Sequence, residues 1–161
     1  MLTTFLSRRG RKETLLAATI VIVPTAGFLI GFYANELKEP ITTYGIGIVS
    51  VVVCCYYLSA MFIGDLTVKG VVRHGDSLLG RALAWALSSN LLGVGLASLI
   101  FSLFKLSSLS EFWETFTVAL WFSELLIGFY ALLPMIAASI YYAKQLKKIK
   151  QLSLLEATVI P

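Results

Sequence analysis

Four stretches of this chain, 14–33, 43–63, 82–104 and 115–143, carry almost no charge, and Glu124 is the one ionised residue inside them. Each is about 20 residues or longer, the length an α-helix needs to cross ~30 Å of hydrocarbon. The apolar runs are continuous rather than alternating, which excludes the strands of a membrane barrel. A bilayer offers no water to backbone groups, so each crossing must satisfy its own N–H and C=O groups as a helix. Composition agrees: 58% of residues are hydrophobic and 14% charged, where soluble domains carry about a quarter charged residues. The expected fold is an all-α integral membrane protein, a four-transmembrane-helix antiparallel bundle. It forms a single membrane domain over 1–161 with a basic C-terminal tail, 144–161.

The distribution of Lys and Arg orients that bundle. Arg8, Arg9, Arg11 and Lys12 precede the first stretch, Lys69, Arg73 and Arg81 lie between the second and third, and Lys144, Lys147, Lys148 and Lys150 follow the fourth. Only Lys38 and Lys105 fall on the other side. By the positive-inside rule both termini are expected in the cytoplasm, with the loops near 36–40 and 105–114 outside. The formal net charge of +4 therefore reads as topology rather than as nucleic-acid binding. The N-terminus has the basic region of a signal peptide, but its apolar core is too long and Phe32 stands where cleavage wants a small residue. The first helix is expected to be a retained anchor in a cytoplasmic (inner or plasma) membrane.

Several local patterns bear on packing. Pro24 should bend the first helix, and Gly27 and Gly31 have the G-x-x-x-G spacing that lets a second helix approach. In the third stretch Ala82, Ala86, Ser89, Gly93 and Ala97 recur at steps of three and four and share one face, which should lie against another helix. Asp65 and Lys69 are spaced for a helical ion pair, if the connection 64–81 coils; otherwise it is a solvated loop. Trp85 and the Tyr141-Tyr142 pair are expected at the inner membrane interface, and Trp113 at the outer one. Leu146, Ile149, Leu152 and Leu155 alternate with lysines, as in a helix lying along the membrane surface. The adjacent Cys54 and Cys55 point about 100° apart on a helix and read as small apolar residues.

The chain lacks the constellations of catalysis. His74 is its single histidine, so a multi-His metal site is excluded, and there is no Cys-x-x-Cys, no Gly-rich phosphate loop and no paired carboxylates within the apolar stretches. The expectation is a protein with no catalytic residues, no metal and no cofactor. The polar residues inside the apolar stretches are the remaining candidates. Glu124 lies ~12 Å from the outer end of its helix, level with Thr25, Ser50 and Ser98. A carboxylate costs at least ~2.5 kcal/mol at the bilayer centre, so it should face protein or water and find one of those hydroxyls. Asn90 belongs to an inner layer with Ser59, Ser88, Ser89 and Ser139.

These features favour a non-catalytic small membrane protein acting through helix–helix contacts, as an accessory subunit of a membrane complex or as an immunity or protective protein. Its partners are the lipid bilayer and a second membrane protein or further copies of itself. The alternatives are an oligomeric ion, proton or small-solute transporter or channel subunit using Glu124, and a holin-like pore former. The basic residues Arg8, Arg9, Arg11, Lys12, Lys69, Arg73, Lys144, Lys147 and Lys148 form its cytoplasmic border.

Overall fold

The computed structural model describes residues 2–36, 43–73, 77–104 and 109–159, with some side chains inside those ranges, Glu124 among them, outside the description. The regular structure of the described residues is helical throughout: α1 (Leu2–Glu36), α2 (Thr43–Arg73), α3 (Leu78–Phe104) and α4 (Leu109–Val159). Two of the helices contain segments long and apolar enough to cross a membrane, Val49–Val71 and Leu78–Leu103.

Local chemistry explains where α3 begins. Ser77 is its N-cap: the Gly80 N–H donates to Ser77 Oγ at 3.3 Å and the Arg81 N–H to Ser77 O at 3.1 Å. This satisfies donors that the first turn of a helix leaves without intrahelical partners. Pro24 and Pro134 lie inside α1 and α4, and both helices continue through them. Each proline removes one backbone bond, which long apolar helices tolerate when neighbouring helices hold them.

Each helix packs antiparallel on the next, and α4 closes the ring against α1, while α2 and α4 touch only weakly across the diagonal. The cross-helix contacts set the register. Arg11 meets Asp65 and Thr19 meets Tyr57 between α1 and α2. Trp85 reaches Ala60 between α3 and α2, and Thr14 meets Tyr142 and Phe28 meets Tyr130 between α1 and α4. In this up-down-up-down order the starts of α1 and α3 and the ends of α2 and α4 share one end. That end carries Arg9, Arg11, Lys12, Lys69, Lys144, Lys147 and Lys148; Arg8 and Arg73 belong to it by position, though their side chains lie outside the description. It is called the basic end below.

The helices are longer than the apolar stretches. α4 has 51 residues, about 76 Å at 1.5 Å per residue, more than twice the hydrocarbon thickness. The excess lies largely at the basic end, where the bundle core continues: Val68, Val71, Leu146 and Ile149 are buried together. The segment 64–73 is therefore packed helix rather than solvated loop. Likewise α4 carries on past Lys144 as part of the bundle, with Leu146 and Ile149 turned inward, instead of lying along a membrane surface.

Two small-residue faces behave differently. Ala82, Ala86, Ser89, Gly93 and Ala97 of α3 are all buried. A Cβ on Gly93 would stand 3.0 Å from Tyr56 Cα, so only a glycine lets α2 come this close. By contrast, a Cβ on Gly27 or Gly31 would meet nothing within 4 Å among the described residues, so no described residue packs on the G-x-x-x-G pair of α1.

Candidate functional site

Packing is graded along the bundle. At the basic end and through the middle, Ala17, Ala18 and Val21 of α1, Ala60 of α2, Trp85 of α3 and Ala138 of α4 form a continuous core. Toward the far end it thins. On α1 no described side chain beyond Thr25 is buried, on α2 none before Cys55, and on α4 none from Ser110 to Trp121. Only α3 stays buried along its length, to Ser102.

A cluster of polar contacts ties the basic end together. Arg11 grips Asp65 with its Nη2 3.0 Å from Oδ2 and its Nε 3.3 Å from both carboxylate oxygens. Hydrogen bonding to Asp65, and secondarily its charge, raises the Arg11 pKa above its already high ordinary value. This pair, 54 residues apart in sequence, takes the place of the Asp65–Lys69 pair suggested by spacing, and Lys69 is exposed. The Tyr141 hydroxyl donates to Glu13 Oε2 at 2.8 Å. The hydroxyls of Tyr142 and Thr14 bond at 3.0 Å, and Thr14 Oγ1 also donates to Gly10 O at 2.8 Å. A Cβ on Gly64 would fall 2.5 Å from Thr14 Cγ2, so this contact too requires glycine.

Trp85 and Tyr142 are central to this cluster rather than interfacial. They are 1% and 0% exposed, their rings 4.6 Å apart, and Trp85 Nε1–H donates to Ala60 O at 3.1 Å. The aromatic-then-basic sequence at Tyr141-Tyr142-Ala143-Lys144 matches an interfacial edge, but core packing determines where Tyr142 sits. Trp113, expected at the opposite edge, is exposed.

The polar candidates divide. Thr25 is buried, but its hydroxyl donates at 2.7 Å to Val21 O of its own helix. Ser98 is buried and Ser50 is exposed. Whether Glu124 meets any of them lies outside the described side chains. Of the inner layer, Ser88 is exposed and Ser139 donates to Met135 O at 2.7 Å, with Ala82 O at 3.4 Å. Ser59 of α2 and Ser89 and Asn90 of α3 are buried, together with Tyr56 of α2, which sequence reading passed over. Ser59 Oγ, Ser89 Oγ, Asn90 Oδ1 and the Tyr56 hydroxyl have no hydrogen-bond partner among the described residues. A cavity of about 30 Å³ adjoins this layer, lined by all four helices and including Tyr56, Asn90 and Gly93.

Far along α4, Trp121 is 67% and Phe129 77% exposed, while Phe112 and Phe116 are half-buried and the rings of Phe112, Trp113 and Phe116 meet one another along the same helix. Cys54 and Cys55 are both free thiols. No family model, no curated protein and no solved structure matches the chain.

Proposed function

We propose that this chain is a non-catalytic, multi-pass membrane protein that works by docking another membrane protein through the far half of its bundle. In this reading α1 and α4 cross the membrane with α2 and α3, both termini are cytoplasmic, and the basic end lies at the inner face of the plasma membrane. The observation that carries the reading is the change in packing along α4. The same helix that buries Met135, Ala138, Tyr142 and Leu146 leaves every described side chain from Ser110 to Trp121 out of the core. That open stretch is rich in aromatic residues and leads directly into Glu124, whose carboxylate needs polar company within hydrocarbon. A partner helix supplies both the cover and the polar contact. Helix association in lipid rests on close packing and interhelical hydrogen bonds rather than on the hydrophobic effect, so large rigid rings and one carboxylate suit such a face.

Affinity purification of the tagged chain from its native membranes in mild detergent tests this. A second membrane protein should co-purify in fixed ratio and be lost with Trp121→Ala or Glu124→Gln, while the variant chain stays folded. Recovery of the chain alone, or of a stoichiometry indifferent to both substitutions, would overturn it.

A further inference from the structure

We infer that the α2/α3 polar layer and the cavity beside it form a binding site for one small neutral hydroxyl ligand. Four buried oxygen-bearing side chains gather there: Tyr56, Ser59, Ser89 and Asn90 are each no more than 6% exposed. The near-contact of Gly93 with Tyr56 Cα makes these two positions level. In antiparallel helices, three residues toward the basic end on α2 match three residues back on α3, so Ser59 is level with Asn90. The backbone positions of Tyr56, Ser59, Ser89 and Asn90 are therefore within about one helical turn of each other along the bundle axis, and the Tyr56 hydroxyl, the two serine hydroxyls and Asn90 Oδ1 have no partner among the described residues.

A buried polar group left unpaired costs free energy that its own helix does not return. The set is mixed in character: a phenol O–H must donate, Asn90 Oδ1 can only accept, and the serines do either. A hydroxyl that accepts from Tyr56 and donates to Asn90 completes both at once. The cavity is of the right kind for this. It adjoins Tyr56 and Asn90, and its volume of about 30 Å³ exceeds the ~10–15 Å³ needed to hold one water. Its other walls, including Val21, Val53 and Val94, are apolar apart from Thr25, whose hydroxyl donates to Val21 O, and among the described residues no Lys, Arg, His, Asp or Glu lines it. A charged ligand would lack a counterion there, whereas a neutral hydroxyl needs none. The hydroxyl has two possible sources: water, or the end group of a membrane-soluble alcohol whose chain extends along the valine walls.

The full chain, purified in detergent, is unfolded thermally as wild type, Tyr56→Phe, Asn90→Leu and the double variant. Tyr56→Phe removes a single oxygen and keeps the ring, so it reports on the site even if Asn90→Leu fails to fold. With the site occupied, each substitution lowers the midpoint by a few degrees. The two losses overlap in the double variant, because both groups hold one ligand. Adding 1-dodecanol, with dodecane as control, separates the sources. A rise with the alcohol alone, in wild type but not in Tyr56→Phe, assigns the site to a lipophilic alcohol. No response to either additive, with the overlapping losses intact, assigns it to water. A Tyr56→Phe chain as stable as wild type or more so, or fully additive losses, would overturn the inference, since removing a group that binds nothing is neutral or favourable.

Discussion

Trp85 and Trp121 carry the same side chain on neighbouring helices, one 1% and the other 67% exposed. Around Trp85 the bundle is closed. Its indole lies tilted against the Tyr142 ring, its N–H is taken by Ala60 O, and the glycines at 64 and 93 bring α1, α2 and α3 close together. Around Trp121 the same α4 leaves Trp113, Trp121 and Phe129 exposed, and no described side chain of α1 beyond Thr25 or of α2 before Cys55 is buried. The difference shows that apolar composition alone does not make a helix interface. Both halves are apolar. The closed half has small residues opposite large rings and backbone acceptors on one helix within reach of buried donors on another, and no such cross-helix pairing occurs among the described residues of the open half.

That comparison can be broken by substitution, and the largest effect is expected at the paired tryptophans. Trp85→Ala leaves a hole in the closed half and removes the indole donor to Ala60 O, and should cost about 3–5 kcal/mol, read as a large loss of thermal midpoint in detergent. Trp121→Ala should leave the midpoint of the isolated chain nearly unchanged. Next comes Gly64→Val, which drives two methyl groups into Thr14 where that residue is already packed against Tyr142. Overpacking of this kind costs about 1–3 kcal/mol, whereas Gly47→Val, with nothing within 4 Å of its Cβ, should be tolerated. Tyr142→Phe keeps the ring against Trp85 and removes only its hydroxyl. Its cost should be near the ~0.6 kcal/mol average for hydrogen bonds between membrane helices, because Thr14 retains Gly10 O as acceptor. The smallest effect belongs to Arg11→Gln. The pair with Asp65 is solvent-exposed, with the Arg11 side chain 53% accessible. Exposed ion pairs are screened by salt, so any shift in midpoint should disappear when ionic strength is raised.

The sequence made the helices legible because four long uncharged stretches have few other solutions, and the observed helices contain all four. Their extent was harder to read. Leu146 and Ile149 stand three apart among lysines, a pattern equally suited to a surface helix, and only the bundle core they join, with Val68 and Val71 of the diagonally placed α2, decides that they turn inward. Asp65 shows the same limit: Lys69 four residues on was visible, but Arg11, 54 residues back, is brought near only by the α1/α2 register. The small-residue stripe of α3 could be read because its period matches the helix and its face is continuous. The Gly27/Gly31 pair had the right spacing, yet no described residue comes within 4 Å of a Cβ there, since spacing permits an approach without causing one. Asn90, Ser59 and Ser89 were recognisable as an inner polar layer from their depth. Tyr56 was not, because a tyrosine in an apolar run gives no sign of where its hydroxyl ends. Glu124 stood out as the one charge within the four stretches, and its side chain lies outside the described residues.

The graded bundle is tested most directly by making the same change at Gly93 and Gly27 and comparing thermal midpoints in one detergent. Both residues lie within long helices, so alanine should favour each through helix propensity by roughly 0.5–1 kcal/mol. At Gly93 that gain is opposed by a Cβ placed 3.0 Å from the Tyr56 backbone, which has no flexible end to move aside, while at Gly27 nothing stands within 4 Å. The account predicts opposite signs: Gly93→Ala lowers the midpoint and Gly27→Ala raises it. Equal shifts of the same sign at the two positions would contradict it.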